Sequence, residues 1–159
     1  MITFDPNLRL PLWKSQAEAK EEILWGLSKA DVVKISDEEV EFLWGAKDPE
    51  KGARILLDQY GVKLAMVTLG PDGVYGANKN GSARVSCPSV TPLDTTGAGD
   101  IFGGSAISRL LALGKDPNSL QPEEIQDIIA FASTAASLST EKRGGIPSIP
   151  SMEEVLAKL

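Results

Sequence analysis

The 159-residue chain contains no histidine, which removes every histidine-based catalytic triad and every histidine metal site. Proton transfer would fall to Asp, Glu, Lys or Tyr instead. A single cysteine, Cys87, excludes a disulfide within the chain and fits a reducing, cytoplasmic setting. No apolar run approaches the roughly 20 residues a membrane helix needs, and the first residues lack a signal-peptide pattern. Basic residues are the minority, 16 Lys and Arg against 22 Asp and Glu, so the formal net charge is −6. That balance argues against nucleic acid or an anionic membrane as the main partner. The motif G-x-x-x-x-G-K-[ST] is absent, so the chain has no P-loop. Internal repeats, low-complexity tracts and linkers are absent too. What remains is an ordinary globular composition, 42% hydrophobic and 24% charged, long enough for one domain with a sizeable core.

The most distinctive stretch is Asp94-Thr95-Thr96-Gly97-Ala98-Gly99-Asp100, running into Ile101-Phe102-Gly103-Gly104-Ser105. Glycine lacks a Cβ, so the backbone here can take left-handed angles and come close to a ligand. A helix beginning near Gly99 would direct the free N–H groups of Gly97 to Asp100 at one point, where its dipole favours an anion. A carboxylate at that point suits proton abstraction from a hydroxyl while the amides hold charge developing on a phosphoryl group. On spacing alone, the stretch reads equally well as a glycine-rich turn with Asp100 as an ordinary first-turn acid.

The rest of the chain alternates strand and helix. Met1–Phe4 reads as a short strand, followed by a turn at Asp5-Pro6-Asn7-Leu8-Arg9 that Leu10–Trp13 closes. Ser15-x-x-Glu18 has capping-box spacing and opens a helix with Ala19, Ile23, Leu24 and Leu27 on one side. Val32–Ile35 is a short buried strand, and Ser36-x-x-Glu39 is a second capping box. Asp48-Pro49 starts a helix that Gly61 stops. Leu64–Leu69 is a continuous apolar run, as expected of a strand covered on both faces. It ends at Gly70-Pro71-Asp72-Gly73, and Val74–Ala77 with Ala83–Val85 predict a hairpin turning at Asn80-Gly81. A helix through Ile107, Leu110 and Leu111 stops at Gly114, and another follows Pro122, rich in Ala and Ser from Ile125 to Leu138. Ser151-x-x-Glu154 caps a last short helix. This β-α-β-α-β order predicts a three-layer α/β fold.

D-T-T-G-A-G-D followed by x-F-x-G closely resembles the second signature of the PfkB/ribokinase family of sugar and nucleoside kinases. Ser105 is the one departure, standing where the family usually has Gly or Ala. The resemblance implies a Rossmann-like α/β/α ribokinase fold with a mainly parallel sheet. It implies Asp100 as catalytic base and the Gly97, Ala98 and Gly99 amides as an anion hole. The Asp5-Pro6-Asn7-Leu8-Arg9-x-x-Leu12-Trp13 run is similar to fructokinases, which implies that Arg9, and Asn7 more weakly, lie by the sugar and the transferred phosphate. A surface turn with a solvated Arg9 is the plainer reading. The Ser36-x-x-Glu39 run takes the place of an Asn-x-x-Glu motif that orders Mg²⁺, which gives Glu39 a metal role beside its capping role. Lys34 and the Thr68-x-Gly70-x-x-Gly73 loop are implied on the nucleotide side, with Ser133 and Ala136 flanking the adenine. Asp94, Thr96, Gly144 and Ser148 are implied ligands of a monovalent cation such as K⁺.

Together these imply transfer of the γ-phosphoryl of ATP to a primary hydroxyl of fructose. A 2-keto-3-deoxygluconate kinase, a ribokinase or an inactive nucleotide-binding fragment stand as alternatives. The resemblance spans residues 1–159 as one α/β domain but matches only the C-terminal part of a family member. The expected sugar-binding and lid portion is not among these residues, which implies a homodimer or a complementing N-terminal half.

Overall fold

The computed structural model describes residues 1–159. Its organising feature is the two-residue side-chain period of the central strands, which sends alternate residues to opposite layers. Strand β2 (Val32–Ser36) sends Val33 and Ile35 to one face and Val32 to the other. Strand β3 (Leu64–Thr68) divides likewise, Ala65 and Val67 against Leu64 and Met66. Both faces are therefore covered, and both strands are apolar almost throughout.

Three helices cover the first face: α1 (Gln16–Leu27), α2 (Asp37–Trp44) and α3 (Pro49–Tyr60). They pack Ile23, Leu27, Val40, Leu43, Ala53 and Leu56 onto it. Helices α4 (Ala98–Leu113) and α5 (Pro122–Ser139) cover the other face through residues such as Phe102, Ala106, Leu110, Ile125, Ile128 and Ile129. A short α6 (Met152–Leu156) adds Val155 to a satellite cluster with Ile101, Phe131 and Ala135. Three layers result, as the element order predicts.

The sheet runs β1-β2-β3-β4-β5, with β1 at Thr3–Phe4, β4 at Val74–Asn78 and β5 at Gly81–Val85. β1, β2 and β3 are parallel; β4 and β5 add an antiparallel hairpin. The C-terminal ends of the three parallel strands lie side by side, which is where open α/β sheets gather ligands.

Three local expectations are corrected. The first strand is only Thr3–Phe4, because Met1 and Ile2 extend beyond the start of β2 and make no register pair. The hairpin turns at Lys79-Asn80, with Asn78 opposite Gly81. Asn78 accepts from the Asn80 amide at 2.8 Å and donates to the Pro117 and Leu120 carbonyls, both at 2.9 Å. Those bonds to the loop before α5 set the register ahead of the local Asn-Gly preference. At α1, Ser15 does accept from the Glu18 amide, but the Glu18 carboxylate takes the Lys14 amide, so the box is not closed. The boxes at Ser36 and Ser151 are both complete. No helix is long and apolar enough to cross a membrane.

Candidate active site

The site is built where β1, β2 and β3 end. Lys34 sits on β2 between Val33 and Ile35, so the strand period turns it away from the first layer and toward α4. Its side chain is only 11% exposed, and its Nζ donates to Asp5 Oδ2 at 3.0 Å. A Cβ built on Gly99 would lie 3.1 Å from that Nζ, so the ammonium lies against the first turn of α4.

That turn is shaped for an anion. Gly97 caps α4 with φ of 79°, a left-handed angle that glycine takes at least cost. The Ala98 amide is tied to the Thr95 carbonyl at 3.2 Å, and Ile101 donates to Gly97 at 2.9 Å. The amides of Gly97, Gly99 and Asp100 make no hydrogen bond within the chain. Unpaired first-turn amides at the positive end of a 16-residue helix attract negative charge. Of the sequence-derived trio, the Ala98 amide is thus turned to the chain's own carbonyl, and the Asp100 amide is free in its place. The Asp100 carboxylate is exposed and lines neither of the cavities beside it.

Two cavities meet at this turn. One, of about 550 Å³, is mostly apolar and is lined by Gly73, Val90, Phe102, Ser133 and Ala136 among others. The second, of about 780 Å³, is polar and is lined by Asn7, Arg9, Lys34, Ser36 and Glu39. Thr68, Gly70, Pro71 and Gly99 line both. A molecule with a flat apolar end and a charged end would lie across that junction.

The loop after β1 forms the wall of the polar cavity. Asn7 has φ of 46°, the only non-glycine residue with a positive φ, and Asn tolerates that region better than most. Strained backbone of this kind persists where surrounding contacts hold it. Here the clamp is Glu39, which is 7% exposed. Its Oε1 accepts from the Leu8 amide at 2.7 Å, while Oε2 accepts from the Ser36 amide at 2.8 Å and the Ser36 hydroxyl at 3.1 Å. Arg9 folds back on its own turn, donating to the Leu8 carbonyl at 3.1 Å. It borders the cavity without an acidic partner.

A second clamp lies behind the glycine turn. Asp94 Oδ1 accepts from the Thr96 amide and Oδ2 from the Gly144 amide, each at 2.9 Å. These bonds, with the Gly144 one foremost, hold the Asp94 carboxyl down to about 2. The Leu93 and Asp94 amides both donate to the Thr140 carbonyl, at 2.7 and 3.0 Å. Ser148, fully buried, donates to the Gly145 carbonyl at 2.7 Å. Asp94 and Thr96 on one loop and Gly144 and Ser148 on the other are thus brought to one loop pair, joined by the Asp94 carboxylate and by Gly145 lying against Gly97. No three His, Cys, Asp or Glu side chains cluster as a metal site.

Sequence reasoning missed two features. Cys87 joins the apolar cavity, its Sγ 3.3 Å from Ser133 Oγ. Asp5, which reads as a turn acid, is the partner of Lys34 across 29 positions. The Gly73 reading also gains a packing reason: with φ of 102°, any Cβ there would overlap the Val85 carbonyl.

Known proteins share this fold. Fructokinase-1 of Zea mays is 40% identical over 157 residues, covering 98% of this chain and 48% of that protein. A fructokinase from Vibrio cholerae O395, solved with fructose, ADP and calcium ion, is 34% identical with a TM-score of 0.87, covering 99% of this chain and 50% of that one. A ribokinase from Thermotoga maritima is 30% identical with a TM-score of 0.71, covering 99% of this chain and 48% of that one. The chain therefore has the α/β ribokinase-like fold and spans about half the length of the relatives it matches. Residues 1–152 match the pfkB family of carbohydrate kinases, and the chain belongs to that family.

Proposed function

We propose that this chain is the nucleotide-binding, base-bearing part of an ATP-dependent fructose kinase, forming fructose 6-phosphate and ADP. The observation that carries the reading is the junction at Gly99. There an apolar cavity, a polar cavity, unpaired amides and the Lys34 ammonium all meet. Adenine packs in the cavity beside Ser133 and Ala136, the phosphates cross Thr68 and Gly70, and the γ-phosphoryl reaches the first turn of α4. Gly73 shapes that loop from below.

The chemistry is an in-line displacement. The sugar hydroxyl oxygen forms a bond to the γ-phosphorus as the bond to the bridging oxygen of ADP breaks, and Asp100 takes the hydroxyl proton. Such transition states are loose, so positioning and charge stabilisation supply most of the catalysis. Charge on the transferring group is met by the Gly97, Gly99 and Asp100 amides, by Lys34, and by Arg9 and Asn7 along the polar wall. Mg²⁺, when bound with the nucleotide, neutralises phosphate charge. Glu39 fits an outer-shell place for it, because it lines the polar cavity and its Oε1 accepts only one bond, while Oε2 is committed to the cap. Asp94, Thr96, Gly144 and Ser148, on the two loops that the Asp94 carboxylate joins, are the residues we place around a monovalent cation such as K⁺.

Fructose is the substrate we favour on the fructokinase relatives. The test is ADP formation by the purified chain with MgATP and K⁺, with and without fructose, alongside calorimetric titration of MgATP. MgATP binding is the expected result for this part alone, and fructose-dependent ADP would show that it also suffices for catalysis. Failure to bind MgATP at all would overturn the assignment of the cleft.

A further inference from the structure

Asp5 has no part in the mechanism above, yet it is the least comfortable group in the molecule. Its Oδ1 is buried and has no hydrogen-bond partner. Burial pushes its carboxyl above the ordinary range; the Lys34 charge and hydrogen bond oppose that rise, and the Glu39 charge adds to it. The Asp5 side chain as a whole is 26% exposed, but a carboxylate oxygen buried without a partner carries an uncompensated desolvation cost. The one polar side chain it binds is Lys34, at 3.0 Å. The arrangement is directional. Lys34 lines the polar cavity and Asp5 does not; Asp5 instead joins Lys34, Gly103 and Ile107 around a small void behind it. Lysine carries a compact charge on a flexible four-carbon stem, so without a tether its ammonium has many places to go. With Asp5 behind and Gly99 in front, it has one.

Resting on the nucleotide reading above, we propose that Asp5 is a positioning residue, fixing the Lys34 ammonium at the first turn of α4 where it meets the phosphoryl end of a bound nucleotide. The ion pair, and not Lys34 alone, then sets the affinity for that charged end. Two charges acting independently on a phosphate contribute additively; an anchor and the group it anchors do not.

The experiment is a double-mutant cycle read by calorimetric titration of the 159-residue chain with MgATP and with adenosine. It uses wild type, Lys34→Met, Asp5→Ala and the double variant. With Asp5 present, Lys34→Met should weaken MgATP binding by about 30-fold, the scale of a lost charge-assisted hydrogen bond. In the Asp5→Ala background the same change should cost no more than about threefold. Adenosine affinity should stay within about twofold throughout, since it lacks the charged end. Equal costs in the two backgrounds would overturn the anchoring role and leave the nucleotide reading standing. A parallel loss of adenosine binding in Asp5→Ala would mark a merely structural role and also overturn it. If Lys34→Met leaves MgATP binding unchanged while adenosine still binds, the phosphate seat itself is wrong and the proposal falls with it. Should Asp5→Ala fail to fold, Asp5→Asn serves in its place: it keeps an acceptor for Lys34, so it should restore part of the coupling, and no coupling at all would again overturn the anchor.

Discussion

Gly99→Ala should make this protein more stable and worse at binding a nucleotide. Gly99 is the second residue of α4 and has ordinary helical angles, so an alanine meets no backbone penalty. Removing a glycine from a helix typically gains about 0.5 kcal/mol through the unfolded chain, which for a domain of this size raises Tm by about 1–2 °C. The added methyl is not in free space, however. It would lie 3.1 Å from Lys34 Nζ and 3.9 Å from Cε. The lysine tip can yield by a few tenths of an ångström, so the fold survives. Helical Cβ atoms tilt toward the helix N-terminus, and Gly99 borders both cavities, so the methyl grows into the junction a phosphate must occupy. The ammonium is displaced and close approach to the Gly99 amide is blocked. Losing one good charge-assisted contact corresponds to at least ~10-fold in MgATP affinity. The control is Gly104→Ala on the same helix, where a Cβ would meet nothing within 4 Å. It should show the same rise in Tm with unchanged affinity. Thermal melts followed by circular dichroism, with calorimetric titration of MgATP, measure both quantities. A Gly99→Ala variant that melts higher and binds MgATP within twofold of wild type would refute the claim that the phosphate meets the chain at this turn.

In an enzyme complete with its sugar-binding portion, Asp100→Asn should cut fructose-dependent ADP formation by at least ~10²-fold, the scale of a lost general base, while MgATP binding stays close to wild type. A variant keeping a tenth of the rate would remove Asp100 from that role. Asp94→Asn should lower Tm by a few degrees at neutral pH, because it takes charge from two backbone bonds, one local and one that joins loops 50 positions apart. The pH dependence has a definite sign. The Asp94 carboxyl falls from 3.8 to about 2 on folding, so its contribution is complete above about pH 4 and is lost as pH drops toward 2. The Tm gap between wild type and Asp94→Asn should therefore be constant from pH 7 to 5 and close toward pH 2. A gap that persists at pH 2 would show that the variant acts through shape and not charge.

The layers of this fold were legible because each rests on a local pattern: the apolar run of β3, the capping box at Ser36, Pro49 and Pro122 at helix starts, and Gly61 and Gly114 at helix ends. The glycine turn was legible as the opening of a helix, although spacing alone left Asp100 open between a base and an ordinary first-turn acid. What the sequence hides is the set of carboxylates that hold these pieces together. Asp5, Glu39 and Asp94 each look complete as local acids: a turn residue, the third residue of a cap, and the residue before Thr-Thr. Glu39 closes its cap and Asp94 takes the nearby Thr96 amide, yet Glu39 Oε1 also reaches back 31 positions to the Leu8 amide. Asp5 reaches forward 29 positions to Lys34, and Asp94 reaches 50 to Gly144. None of these partners bears a mark of the other, because a backbone amide is present at every residue and a strand lysine reads as one polar position in an apolar run. The hairpin misreading has the same origin, since Asn78 is bound from residues about 40 positions on. The Asp5 and Glu39 clamps border the end of the sheet where β1, β2 and β3 finish, the Asp94 clamp lies behind the glycine turn, and each ties residues about 30 to 50 positions apart. The strands bring those loops together, but the carboxylates determine how the loops face the cleft, so the geometry on which phosphate recognition depends is set by the residues least conspicuous in the sequence.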